Sequence, residues 1–330
     1  MKTSSKKWLQ LVVLLCIATA LIYWQYQQLS PEQWAEIKNS LSQTRWSYLI
    51  VALLVGFLSH FFRALRWRLL LQTAGYSPRI ATTTSAVLLA YLSNTLIPRL
   101  GEVVRCTSLT KTEKVPFEKS LGTVISERVF DVLSLLVLFL LVFGMEYQRL
   151  AAYGQTLITS FFYDENGGFK TMKLLLLLLL ILCGVVFFWW LIKKSKFQKL
   201  QQLFQNLLEG LKSIFKLKKK FLFLFYSVCM WFLYVAMVYI ALKAVPDTAH
   251  LSWTVAMAIT AFGSIAIMLT PGGIGAYPPI AAAILFLFDI GTTAGLALGW
   301  VSWTMQTVVV LILGIFALLY LSFVNSTQKQ

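Results

Sequence analysis

Long apolar segments alternate along this chain with short basic ones. Leu174–Ile192 is 19 residues without a charge, close to the roughly 20 a helix needs to cross a bilayer. Comparable segments cover Trp8–Tyr26, Ser47–Phe62, Leu121–Gly144, Phe221–Leu242 and Gly291–Leu321. A transmembrane barrel would alternate polar and apolar residues instead of running Leu after Leu. The pattern therefore predicts an all-α polytopic membrane protein, a single membrane domain over 1–330 with about six full crossings. Trp8–Tyr26 follows Lys6 and Lys7 as a signal peptide would, but it runs past the small-residue site Ala18-Thr19-Ala20 into Leu21–Trp24. A retained first helix over 8–26 is expected.

Two further apolar segments are interrupted by helix breakers. Ala81–Ile97 ends at Pro98 and Gly101. Trp253–Leu269 ends at the stretch TPGGIGAYPP (270–279), followed by Ile280–Phe288. A proline inside a helix costs about 3 kcal/mol and each glycine about 1. Backbone groups freed at such a break are tolerated at membrane depth only when shielded by protein or facing a wet cavity. Both segments are expected to be broken, re-entrant helical hairpins. For the second, two full crossings fit the charges equally well.

Charge fixes the expected orientation. Basic residues favour the cytoplasmic side, and six crossings with both termini inside put 23 of the 29 Lys and Arg there. A full crossing by Ala81–Ile97 would place the Lys193–Lys220 cluster outside, so a hairpin entering from the cytoplasm is preferred. The net charge of +16 then belongs to loops facing anionic inner-leaflet lipid, not to nucleic acid. Within 195–220, Phe197, Leu200, Phe204, Leu207, Leu211 and Ile214 follow helical spacing among lysines, which predicts an amphipathic cytoplasmic surface helix. Mean hydropathy of +0.73 and 13% charged residues agree with an integral membrane protein.

The broken segments fall into two units of the same order. Residues 47–144 read helix, broken element, helix; 221–321 repeat that order with the direction of crossing reversed, and 172–192 links them. Inverted repeats of this kind place their ligand where broken helices meet. Half-helix N-termini there attract anions. Arg99, Glu102 and Arg105 are spaced to share one helical face, and Pro278 and Pro279 suit the first turn of a new helix. Glu127, Arg128 and Asp131 also share a face, in a segment where charge costs about 2.5–3.5 kcal/mol per residue at the bilayer centre. An interfacial salt-bridge cluster is the plainer account of these three, and ordinary positive-inside charge that of Arg99 and Arg105. His60 reads as a packing residue. Gly291, Gly295 and Gly299 read as a close-packing stripe within the bundle, with a homo-oligomer left open. Cys16, Cys106, Cys183 and Cys229 are scattered without metal spacing, and no cofactor or metal is expected.

PRLGEVVR (98–105), SERVFD (126–131) and TPGGIGAYP (270–278), in that order, resemble the lysylphosphatidylglycerol synthase transmembrane family, the flippase-like membrane domain of the multiple peptide resistance factor. The resemblance implies two inverted repeats with re-entrant hairpins that move a lipid headgroup between leaflets. It places Pro98, Arg99, Gly101, Glu102 and Arg105 in the first hairpin and Glu127, Arg128 and Asp131 in the helix after it. Pro271, Gly272, Gly273 and Gly275 fall in the second hairpin. Synthase activity in that family belongs to a separate aminoacyltransferase domain, which is not expected in a sequence ending nine residues after Leu321.

The expected function is that of a flippase-like transporter, not an enzyme. Its ligand is expected to be a phospholipid or a polyprenyl-phosphate-linked headgroup. A membrane-embedded transferase using Glu127 or Asp131 as base, and a non-catalytic membrane partner acting through 196–220, are the alternatives.

Overall fold

The structure, a computed structural model, describes residues 30–162 and 217–327, with Tyr23, Gln27 and Leu182 besides. Every regular element among them is helical: α1 (Pro31–Gln43), α2 (Tyr48–Thr73), α3 (Ile80–Leu96), α4 (Leu100–Glu113), α5 (Phe117–Met145), α6 (Tyr147–Phe162), α7 (Lys220–Ala244), α8 (Trp253–Leu269), α9 (Tyr277–Phe286) and α10 (Thr292–Thr327). Of these, α2, α5, α7 and α10 are long and apolar enough to cross a membrane. The expected crossings at 8–26 and 172–192, and nearly all of the surface helix at 195–220, lie outside the described residues. Helix α6 occupies a stretch for which the apolar pattern predicts no element.

Helices α2 and α7 form the central pair and run antiparallel. At one end the Arg45 amide donates to the Ala244 carbonyl at 2.9 Å. At the other, Leu69 and Leu70 pack with Leu217 and Phe223. The second end is basic, carrying Arg79, Lys111, Lys114, Lys119 and Lys218–Lys220. At the opposite end, the Ser40 hydroxyl donates to Asp247 at 3.0 Å and Arg149 pairs with Asp289 at 3.1 Å.

The break after α3 makes a hairpin. The chain reverses over Ile97-Pro98-Arg99, with Arg99 in the left-handed region at φ 65°. The arms α3 and α4 then lie side by side, and their open ends meet where Arg79 Nε reaches Glu113 at 2.9 Å. Gly101 makes the close approach possible: a Cβ there would sit 2.2 Å from the Ala90 carbonyl oxygen. Its amide donates to Asn94 Oδ1 at 2.7 Å, tying the two arms beside the turn.

The second break also makes a hairpin, of α8 and α9 joined by a short 3₁₀ turn at Pro271–Gly273. Gly272, Gly273 and Gly275 all have positive φ, a conformation that a side chain would strain. Pro278 and Pro279 fall in the first turn of α9, where a missing N–H breaks no helical bond. The arm α9 sits tightly on α10, because Gly295 and Gly299 leave room for Ala282 and Pro278. Two members of the glycine stripe thus serve packing within the chain.

The two turns touch. A Cβ on Gly272 would lie 3.3 Å from Thr95 Cα, in the last turn of α3. The order helix, hairpin, helix therefore occurs twice, and the two hairpins meet tip to tip.

Gly101→Ala should destabilise the protein by about 1–3 kcal/mol, the usual cost of overpacking, because the obstructing atom is backbone. Gly122→Ala, on α5 with open space around it, should be neutral or stabilising. Thermal unfolding in detergent, followed by tryptophan fluorescence, separates the two outcomes.

Candidate functional site

The charged positions of α2, α4 and α5 converge beneath the first hairpin tip. Arg63 and Arg66 are one helical turn apart on α2, Arg105 faces them from α4, and Glu127 and Asp131 from α5. All five side chains are buried, Arg66 and Glu127 completely. Glu127 lies ten residues into α5, about 15 Å at 1.5 Å per residue. It is level with Phe223 and Ser227 in the first turns of α7, since Arg66 contacts both. The cluster thus sits in the half of the bundle nearer the basic end.

Glu127 is its hub. Its Oε1 accepts Arg63 Nε at 2.8 Å and Arg66 Nη2 at 3.1 Å, and its Oε2 faces Arg105 Nη1 at 2.9 Å. Asp131 takes Arg66 Nη2 at 2.5 Å through Oδ1 and Arg63 Nη2 through Oδ2. Aromatic faces cover the guanidinium groups: Arg105 lies 4.6 Å from the Trp67 ring centroid, Arg66 5.6 Å from Phe223 and Arg63 5.6 Å from Tyr91. Arg63 also donates to the Tyr91 hydroxyl at 2.7 Å and to Tyr234 at 3.2 Å. These two tyrosines bond each other at 2.7 Å, and His60 is buried against Tyr91 with ring centroids 4.1 Å apart.

Three arginines face two carboxylates, so the buried cluster carries one net positive charge. Arg128 and Glu102 flank it and neutralise each other at 2.7 Å. Spare donors remain inside: Arg66 Nε, Arg105 Nε and Arg105 Nη2 are buried without a hydrogen-bond partner. Excess positive charge with free N–H groups, shielded from water, is an arrangement that favours an anion.

Three of the expected site residues, Arg105, Glu127 and Asp131, are in this cluster, with Glu102 and Arg128 paired at its edge. Arg99 is not. It precedes α4 in a left-handed conformation, and its side chain is exposed at the hairpin tip. The expected single face of Arg99, Glu102 and Arg105 is therefore not formed: the helix begins after Arg99, Glu102 pairs with Arg128, and Arg105 turns to Glu127. Gly101, Pro271, Gly273 and Gly275 are buried backbone at the two turns. Gly272 accepts a hydrogen bond from Trp303 Nε1 through its carbonyl at 2.9 Å. Pro278 and Pro279 also remove two N–H groups from the start of α9, so that terminus offers an anion little beyond its dipole.

Arg63 and Arg66 were not among the expected site residues. The apolar pattern stops at Phe62 and assigns both arginines to a cytoplasmic loop, whereas α2 continues to Thr73 and buries them. The available signal is Arg63-Ala64-Leu65-Arg66-Trp67, an i,i+3 pair inside a continuing apolar period. Tyr91 and Tyr234 carry no such mark. Among the described residues no group of three or more His, Cys, Asp or Glu is placed to hold a metal ion.

The sequence model of the family described as the lysylphosphatidylglycerol synthase TM region matches residues 8–325. The UPF0104 membrane protein MJ1595 of Methanocaldococcus jannaschii is 30% identical over 112 residues, 33% of this chain and 33% of that protein. The chain therefore aligns with about a third of that relative's length. No solved structure matches it.

Removing one partner from a buried ion pair costs about 3–5 kcal/mol, a large part of a typical stability of about 5–15. Glu127→Ala strands three arginines on one carboxylate and should abolish most of the folded yield. Adding Arg105→Met to that variant should recover part of it. Size-exclusion profiles of a fluorescent fusion would show both effects.

Proposed function

This chain belongs to the lysylphosphatidylglycerol synthase TM family, and from that premise we propose that it moves an anionic lipid or lipid-linked headgroup between leaflets. The observation that carries this reading is the net positive charge of Arg63, Arg66 and Arg105 against Glu127 and Asp131, buried beneath two touching hairpins. The anion that membrane lipids bring is phosphate, and arginine matches it with paired N–H groups. Antiparallel α2 and α7, each followed by a broken hairpin, support an inverted repeat with its ligand near the hairpin tips. With the basic end cytoplasmic, the first hairpin re-enters from the inside and the second from the outside. The lysines at that end then face anionic inner-leaflet lipid.

Transport follows from exchange of partners. A phosphate entering the cluster offers the arginines a new acceptor and lets the hairpin tips shift without leaving a buried charge bare. A transferase is less well supported, because Glu127 and Asp131, the bases it would use, are already ion-paired with buried arginines.

Proteoliposomes with fluorescent phospholipids and a leaflet-specific quencher test the reading. Arg105→Gln, which removes one charged donor set, should slow leaflet transfer by about tenfold or more at equal folded protein, the worth of one charge-assisted hydrogen bond. Arg105→Lys should fall between. Unchanged transfer in Arg105→Gln, or none by the native chain across anionic and zwitterionic headgroups, would refute it.

A further inference from the structure

One ion pair lies where the internal cluster does not need it. Arg128 and Glu102 meet at 2.7 Å, with side chains 41% and 20% exposed. The surface around them is apolar: Val103 on α4 and Ile125 and Val132 on α5 are all exposed. This is a charged pair on the face of a membrane helix, beside residues suited to lipid. The buried cluster closes without it, since Glu127 and Asp131 already hold Arg63, Arg66 and Arg105. Yet Arg128 faces inward as well, its Nη1 lying 3.8 Å from Asp131 Oδ2. Arg128 Nε and Glu102 Oε2 are shielded from solvent and have no hydrogen-bond partner. The pair therefore connects the outer wall of the bundle to its charged interior and keeps unused bonding capacity on both members.

We propose that the seam between α4 and α5 at Glu102–Arg128 is a lateral port that admits a phospholipid headgroup from the bilayer. The headgroup phosphate displaces the Glu102 carboxylate from Arg128 with Val103 and Ile125 beside the headgroup at the mouth of the seam, and the acyl chains stay outside, running past Val132. The excess positive charge behind Arg128 draws the phosphate inward. A lipid is the source because the seam opens onto an apolar wall, where a free anion would have no solvated approach. Charge accounts for the exchange: Glu102 and the phosphate compete for one guanidinium, so the port closes on itself when empty. The proposal rests on the transport reading and adds the route by which the ligand arrives.

A phospholipid bearing an aryl azide on its headgroup, photolysed in proteoliposomes and mapped by mass spectrometry, tests it. Label is expected on Val103 and Ile125. It should be about tenfold weaker on Phe225, which is exposed on α7 between two residues that touch Arg66 and so lies level with the cluster. Arg128→Gln should lose the seam label and Arg128→Lys retain part of it. Glu102→Gln removes the competitor and should keep or raise the label. If Glu102→Gln and Arg128→Gln lose it alike, the pair only holds the helices together and the port is wrong. Equal labelling of Phe225, or loss of seam label to soluble glycerophosphate, overturns it as well. Native transfer rates without seam labelling sink the port and leave the transport reading standing. Seam labelling with no leaflet transfer leaves a lipid site and sinks the transport reading.

Discussion

The arrangement depends on one carboxylate. Glu127 is completely buried and accepts contacts from three arginines on two other helices. Charges withdrawn from water must find their solvation in each other, and here that requirement fixes α2, α4 and α5 relative to one another. It also explains how a helix broken at Pro98 is held. The arm α4 begins directly after the break and is pinned within two turns, by Glu102 to Arg128 and by Arg105 to Glu127.

The two hairpins are anchored by different physics. The first is tied to α2 and α5 by ion pairs and by the Arg63–Tyr91 hydrogen bond. The second is tied to α10 by neutral contacts: Tyr277 shares a hydrogen bond with Ser302 at 3.0 Å and accepts one from Gln306 at 3.2 Å, and Trp303 holds the Gly272 carbonyl. Small residues bring α9 almost onto the α10 backbone. A charged ligand can exchange with ion pairs but has nothing to offer a neutral, close-packed contact. The contacts open to exchange therefore sit on the first hairpin, on the side of the bundle that also bears the excess positive charge.

Non-glycine residues in left-handed backbone mark the ends of elements. Arg99 turns the chain into α4, Lys114 ends α4, and Asp289 follows α9 with φ 64°. Asp289 also receives Arg149 from α6, so the helix that the apolar pattern missed is tied to the exit of the second hairpin. That tie could not be read from α6 itself, whose sequence is too short and too mixed to stand out among membrane segments.

Local sequence chemistry determined the helical class, the long apolar helices, the two breaks and the shared face of Glu127 and Asp131. These follow from periodicity and from the missing N–H of proline or the freedom of glycine, which act over a few residues. Tertiary structure alone decided which charges meet. Arg66 and Glu127 are 61 positions apart, and the i,i+3 spacing that puts Arg63 and Arg66 on one face does not say which carboxylate they meet. The same holds for Arg99 and Arg105: both follow the first break, yet packing leaves one exposed at the tip and encloses the other against Trp67. The physical reason is that burial and pairing belong to surfaces brought together from distant helices, whereas propensity and periodicity belong to the segment that carries them.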